Sequence, residues 1–284
     1  MRKKSDKINN FHFECNKVLT KELGQFDALV QFQEVALLDM LSAQKEIGED
    51  IDTYIKKNAK KHNIPLGHVP FSKFLSKIHQ SYLIYPSACL DRFLKDWVQE
   101  MYLFLGKPDD NDIEKGFRIN GKKEEAYLQS VLSALKHKGY DLGLSELYLN
   151  IFEYYRLSRN SVVHISRDKD RITNVYNKID RVQALKLLPA WQNAFARPCE
   201  YELDDLVAYS AFVKRIADEM TSLLYPKLDW TCIHYEYDED WMVMLKKTRA
   251  KPDRKKTLQG FIKQRYGEPI PNGQIDKVME YLHL

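Results

Sequence analysis

The chain has 284 residues, with 44 Lys and Arg against 40 Asp and Glu, so its formal net charge is +4. Hydrophobic residues make up 44% of it, which suffices for a buried core and predicts a soluble globular protein. No stretch contains the ~18 consecutive apolar residues that a membrane-spanning helix requires. The basic N-terminal residues run into Phe11 and His12 without the apolar core of a secretion signal, so we expect neither membrane insertion nor secretion.

Cysteine usage indicates a reducing compartment. The four cysteines are Cys15, Cys89, Cys199 and Cys232, and they are far apart, without a Cys-x-x-Cys pair or histidines at zinc-binding spacing. We interpret them as reduced structural thiols of a cytoplasmic protein. We therefore expect neither a metal ion nor another cofactor.

Helical periodicity dominates most of the chain. Glycine accounts for 11 residues, about 4% against an average of roughly 7%, which favours helices over sheet. Apolar residues recur at helical intervals in the stretches 15–43, 47–61, 71–105 with a kink or break at Pro86, 124–136, 144–165, 174–188 and 203–224. This pattern predicts a mainly α fold, in which residues 1–225 form a helical bundle.

The composition changes after Pro226. Residues 229–245 are rich in aromatic and β-branched side chains, and they could form a β-hairpin around residues 237–240. We therefore predict that residues 226–284 form a small mixed appendage, separate from the bundle of residues 1–225.

The stretch 144–165 has the clearest helical pattern. At ~100° per residue, its core stripe contains Leu144, Leu147, Tyr148, Ile151, Tyr155, Ser158, Val162 and Ile165. On the opposite side Glu153, Arg156, Asn160 and His164 fall within about 80° of one another, and Arg159 flanks the core stripe. The helix therefore brings several polar and titratable side chains to one side.

Large apolar residues interrupt this polar side. They are Leu149, Phe152, Leu157 and Val163. Several such side chains are seldom left exposed together on a monomer, so something must cover them. A second subunit related by a two-fold axis would do so, and we expect a homodimer. The alternative is that residues 172–188, or the segment after Pro226, fold back over this side.

The order Arg159-Asn160-Ser161-Val162-Val163-His164 resembles the Arg-x4-His signature of HEPN domains, in the form where a polar residue follows the arginine. HEPN domains are helical bundles that carry this signature on a late core helix. Many are metal-independent endoribonucleases whose active site forms across a dimer. The resemblance implies an HEPN-like bundle that acts on RNA, as an endoribonuclease of a defence or toxin type, with Arg159 and His164 catalytic.

The residue types suit RNA cleavage by the substrate's own 2′-hydroxyl. This reaction needs a proton acceptor, a proton donor and positive charge at the phosphoryl oxygens. Histidine serves in proton transfer near neutrality, and arginine grips phosphate with a planar fork. Asn160, one helical turn before His164, can hold the imidazole or a phosphate oxygen. Arg156 adds a second cation, and Glu153 can orient Arg156 or Arg159.

The alternative is a noncatalytic HEPN dimer that acts as an RNA-binding or protein-interaction module. Some toxins of the family carry a tyrosine two places after the signature histidine, which an antitoxin modifies with nucleotide. Ser166 occupies that place here. Regulation by that modification is therefore not expected, whereas restraint by a regulatory partner protein or antitoxin stays open.

Seven cations and one anion are concentrated in residues 246–256. The cations are Lys246, Lys247, Arg249, Lys251, Arg254, Lys255 and Lys256. Such a segment can contact RNA phosphates without reading their sequence, or it can be a solvated linker. The aromatic residues beside it could stack on bases or form the core of the hairpin; they are Trp230, Tyr235, Tyr237 and Trp241.

Overall fold

The structure is a computed structural model that describes residues 10–67, 70–105, 127–137, 139–163, 169–233, 239–248 and 250–284. These residues are mainly helical and include no β-strand; one isolated bridge joins Arg197 and Glu200. The mainly α fold class is thus confirmed. Within the same residues, no helix is both long enough and apolar enough to cross a lipid bilayer.

In chain order, the helices are α1 (Glu14–Ile47), α2 (Ile51–Lys61), α3 (Phe71–Tyr82), α4 (Ile84–Leu105), α5 (Tyr127–His137), α6 (Glu146–Val163), α7 (Lys169–Tyr176), α8 (Arg181–Leu187), α9 (Leu203–Leu224), α10 (Glu239–Lys247), α11 (Lys251–Tyr266) and α12 (Asn272–Tyr281). The predicted stretch 71–105 is divided at Leu83. Pro86 lies in the first turn of α4, where a missing N–H costs no helical hydrogen bond.

The chain forms two compact units. Unit 1 comprises Met1–Thr20, Leu90–Leu144 and Lys214–Leu284, and unit 2 comprises Lys21–Cys89 and Ser145–Val213. Helices α1, α4 and α9 each contribute residues to both units. Residues 226–284, which the sequence separates as an appendage, belong to unit 1 together with residues from the N-terminus and the middle of the chain.

The predicted β-hairpin at 229–245 is wrong in the described part of that segment, because residues 239–247 form α10. Residues 234–238, which include the start of the predicted turn, lie outside the described residues. Helix α10 begins with Glu239 and Asp240 and ends with Lys246 and Lys247. The basic residues at its C-terminus complement the helix dipole.

An aromatic cluster forms the core of unit 1. Phe11, Phe104, Trp230 and Tyr266 pack with ring centroids 5.0 to 6.3 Å apart, and all four are buried. Trp230 is 0% exposed. It therefore packs in the core and is not available to stack on bases.

A carboxylate from α4 caps the start of α1 in unit 1. Glu100 accepts hydrogen bonds from the backbone N–H groups of Glu14 and Cys15, each at 2.8 Å. The first amides of a helix have no partner within the helix, so this contact satisfies two of them. Burial raises the pKa of the Cys15 thiol, which keeps it protonated and unreactive.

Candidate functional site

Helix α6 in unit 2 carries the candidate site and is buried along its predicted core stripe. Leu147, Ile151, Tyr155 and Ser158 are all buried, which confirms that part of the prediction. The rings of Tyr155 and Tyr209 on α9 pack with centroids 4.6 Å apart. This packing fixes α6 in one position.

Asp205 ties the buried face of α6 to the start of α9. Its carboxylate accepts hydrogen bonds from the hydroxyl of Tyr155 (2.9 Å) and from the backbone N–H groups of Phe195 and Glu202 (3.1 Å each). Burial raises its pKa from 3.8 to about 6, while these three hydrogen bonds lower it. Asp205 therefore fixes three segments of unit 2 to one another through a single side chain.

The polar side of α6 holds two of the three predicted catalytic residues side by side. Arg159 donates a hydrogen bond from Nη1 to Oδ1 of Asn160 at 2.9 Å, and both side chains are half-buried. This contact orients the guanidinium with respect to the helix. His164 lies outside the described residues, so its predicted pairing with Asn160 stays a prediction.

Glu153 and Arg156 form a bidentate ion pair one turn earlier on α6. Arg156 donates from Nε and Nη2 to the two carboxylate oxygens, each at 2.7 Å, and the two side chains are only 16% and 18% exposed. Of the two arginines that Glu153 could orient, the structure pairs it with Arg156. Two parallel, charge-assisted hydrogen bonds of this kind fix both distance and angle.

Arg171 is a site residue that the sequence analysis missed. It lies on α7, and its Nη2 is 3.7 Å from Oε1 of Glu153, so that two arginines share one carboxylate. Its side chain is 52% exposed. The predicted helix started after this position, at 174, and helical periodicity does not pair Arg171 with a residue of α6.

Helix α3 packs against the same part of α6. Gln80 donates to the hydroxyl of Ser161 at 3.4 Å, and that hydroxyl donates to the carbonyl oxygen of Ser158 at 2.7 Å.

The residue before Gln80 is His79, to which the sequence assigned no role. Its Nε2 is 2.9 Å from a carboxylate oxygen of Glu34 on α1, and both side chains are about one-tenth exposed.

Two of the four apolar residues on the polar side of α6 do not need a second subunit to cover them, and the homodimer itself stays a prediction. Phe152 and Leu157 are buried within the chain, at 4% and 7% exposure, and Leu149 is half-buried. Helix α7 packs against α6, and Ile172 on it is buried. The packing of α7 on α6 agrees with the alternative left open by the sequence, in which residues 172–188 fold back over this helix. The side chain of Val163 lies outside the description.

The basic residues of 246–256 lie at the end of α10 and in the first turns of α11 in unit 1. Lys246, Lys247 and Lys256 are exposed. Two other cations bind neighbouring groups, since Lys255 is 2.7 Å from Asp276 and Arg254 donates to the carbonyl oxygen of Thr248. Arg249 and the side chain of Lys251 lie outside the described residues.

No group of three or more His, Cys, Asp or Glu side chains is arranged to hold a metal ion among the residues that the structure describes. Comparison with profiles of known protein families, with curated proteins and with solved structures finds no match to this chain. Function is therefore inferred from the residues of α6 and its neighbours.

Proposed function

We propose that the chain is a metal-independent endoribonuclease of the HEPN type, with a defence or toxin role, in which Arg159, Asn160 and His164 carry out the reaction. The observation that supports this most is the hydrogen bond between Arg159 and Asn160 on a helix whose opposite face is rigidly packed. Phosphoryl transfer depends mainly on fixed positive charge at the phosphoryl oxygens, and a guanidinium held in this way provides it.

In the proposed reaction, the 2′-oxygen of one nucleotide forms a bond to the adjacent phosphorus, and the bond from phosphorus to the 5′-oxygen of the next nucleotide breaks. His164 accepts the proton of the 2′-hydroxyl as general base. A second acid or a water molecule gives a proton to the leaving 5′-oxygen. Arg159 binds the phosphoryl oxygens, and the products carry a 2′,3′-cyclic phosphate and a 5′-hydroxyl.

The basic segment supports RNA as the substrate class. Lys246 and Lys247 are exposed cations at the end of α10, and Lys256 is an exposed cation in α11. Like charges concentrated in this way repel one another, so the segment suits an anionic partner. Phosphate contacts of this kind add affinity for every RNA sequence.

A noncatalytic RNA-binding or protein-interaction module is the second candidate. The bidentate pair of Glu153 and Arg156 favours it, because Arg156 uses two of its five hydrogen-bond donors within the protein and has fewer left for a phosphate. The two candidates differ in whether the bond to phosphorus is broken. Both allow restraint by a partner protein.

The test is RNA cleavage by the purified full chain in the presence of EDTA, with single-stranded and structured RNA. We expect cleavage that His164→Ala and Arg159→Ala each reduce by at least about a hundredfold while helix content is retained. Arg197→Ala is the matched control, since Arg197 is an exposed arginine of the same unit, and this variant should cut normally. Undiminished cleavage by either site variant would contradict the assignment of the site.

A further inference from the structure

Unit 2 exposes a ridge of four large apolar side chains on the second half of α1. Leu29, Phe32, Val35 and Leu38 are 54%, 73%, 56% and 59% exposed. They follow one another at intervals of three residues, so neighbouring members are adjacent on the helix surface and the row runs obliquely across the exposed half of α1. A contiguous apolar ridge of this size is unusual on a monomer and marks a contact surface.

The same unit also contains an apolar groove, between α2 and α3. Its volume is about 450 Å³, and its walls include Ile55, Leu66, Pro70, Phe71 and Phe74. Leu66 and Phe74 are each 48% exposed, and no residue of α2 is buried. An isolated helix as short as α2 is marginally stable in water unless its apolar face is covered, so the groove has a physical reason to bind an apolar element.

The charges beside the two surfaces are complementary. Lys56 lines the groove, and Lys60, Lys61 and Lys73 are exposed on the two helices that form it. Asp52 also lines the groove and accepts the backbone N–H of Phe71 at 2.9 Å, Asp50 caps α2, and Glu49 pairs with Lys57. The four lysines outnumber the carboxylates of Asp50 and Asp52, so the helices beside the groove carry net positive charge.

The ridge carries the opposite sign. The exposed carboxylates of Asp39 and Glu46 follow it on α1, with Lys45 as the exposed cation in that stretch. An anionic nucleic acid would suit the lysines of the groove but would leave the apolar ridge uncovered and beside acidic residues. One occupant accounts for both surfaces, namely a second copy of the chain.

We infer that the chain forms a two-fold dimer in which the α1 ridge of each subunit packs into the α2–α3 groove of its partner. A two-fold axis makes the contact reciprocal, so that each dimer buries two ridges and two grooves. This interface does not use the apolar residues of α6, which the chain covers itself, and it does not depend on the proposed RNA cleavage. It assigns the predicted homodimer to a different surface.

The experiment is sedimentation velocity on the full chain over a micromolar dilution series. We expect a particle near twice the 33.5 kDa mass of one chain. Phe32→Ser and Phe74→Ser should each weaken association at least about tenfold, because large aromatic side chains dominate interface energies. Both side chains are exposed, so both variants should keep their helix content. Val182→Ser, which changes a 68% exposed side chain of the same unit, is the matched control.

Charge reversal tests the complementarity separately. Lys56→Glu with Lys60→Glu should weaken the dimer, and adding Asp39→Lys with Glu46→Lys in the same chain should restore it, since the reversed charges again attract. A wild-type monomer throughout the dilution series would overturn the inference. So would a dimer that Phe32→Ser weakens and Phe74→Ser does not, because such a dimer would pair ridge with ridge.

Discussion

Glu153 and Arg156 are joined by two hydrogen bonds of 2.7 Å each, and Arg171 approaches the same carboxylate from α7 at 3.7 Å. One acidic side chain thus controls the positions of two arginines beside the candidate site. Removing its charge should release both guanidinium groups and leave the less exposed one, on Arg156, without its partner.

We therefore expect Glu153→Gln to lower the free energy of unfolding by about 1–2 kcal/mol, because a mostly buried donor group loses its charged acceptor. Urea denaturation followed by circular dichroism measures this change. Glu200→Gln is the matched control, since Arg197 and Glu200 have the same spacing of three residues but are 73% and 66% exposed. Exposed pairs contribute roughly 0–1 kcal/mol. Equal losses in the two variants would contradict the structural role of Glu153.

Asp205 should make stability depend on pH. Its pKa is about 6 in the folded protein against an ordinary 3.8, so between about pH 4 and pH 6 the folded state binds more protons than the unfolded state. Its contribution to stability is therefore fully present below about pH 4 and is lost as the pH rises through 6. The free energy of unfolding falls by about 3 kcal/mol over this range.

The Asp205→Asn variant tests this sign, because asparagine does not ionise. Its oxygen can still accept from Tyr155 and Phe195, while its amide group faces the backbone N–H of Glu202 and costs stability at every pH. The free energy of unfolding of the variant, relative to that of wild type, should therefore rise by about 3 kcal/mol from pH 4 to pH 7. Urea midpoints at the two pH values provide the measurement, and a constant difference would contradict the assignment.

Glu34 and His79 should be energetically coupled. Nδ1 of His79 is 3.1 Å from the carbonyl oxygen of Tyr201, and Nε2 faces Glu34, so the ring links α1 to the segment before α9. A double-mutant cycle of Glu34→Ala and His79→Ala should give a coupling energy of about 1–2 kcal/mol in unfolding. If the losses of unfolding free energy in the two single variants add up to the loss in the double variant, the two side chains do not interact in solution.

The basic segment should contribute to RNA affinity without sequence preference. We expect Lys246→Ala, Lys247→Ala and Lys256→Ala together to weaken binding to all single-stranded RNAs and to reduce the slope of log affinity against log salt by ~0.7 per lost phosphate contact. Fluorescence anisotropy at several salt concentrations measures the slope. Lys255→Ala should change it less, because that lysine already pairs with Asp276. An unchanged slope in the triple variant would identify the segment as a solvated surface.

Helical periodicity predicted the parts of the fold in which one face is clearly apolar. Helix α9 spans 203–224 as predicted, and α6 spans 146–163 within the predicted 144–165. Periodicity does not identify the element that covers a second apolar side, which is why Phe152 and Leu157 suggested a partner although α7 covers α6. Aromatic and β-branched residues in 229–245 suggested a hairpin, but residues 239–247 of that stretch form α10.

The candidate site was predictable only along one helix. Glu153, Arg156 and Asn160 share one side of α6, and Arg159 is next to Asn160 in the chain, so their proximity follows from position along one helix. Contacts between helices do not follow from spacing. Arg171 reaches Glu153 only because α7 packs on α6, and the pairing of His79 with Glu34 joins helices that are distant in the sequence.

The most direct test of the proposed cleavage is the chemistry of the RNA ends produced in EDTA. We predict fragments that end in 2′,3′-cyclic phosphate and begin with 5′-hydroxyl. We predict no cut where the nucleotide before the scissile phosphate is 2′-deoxy, since that nucleotide lacks the attacking oxygen. His164→Ala should abolish these ends. Fragments with 5′-phosphate, or cleavage that persists next to the 2′-deoxy nucleotide, would contradict attack by the 2′-hydroxyl.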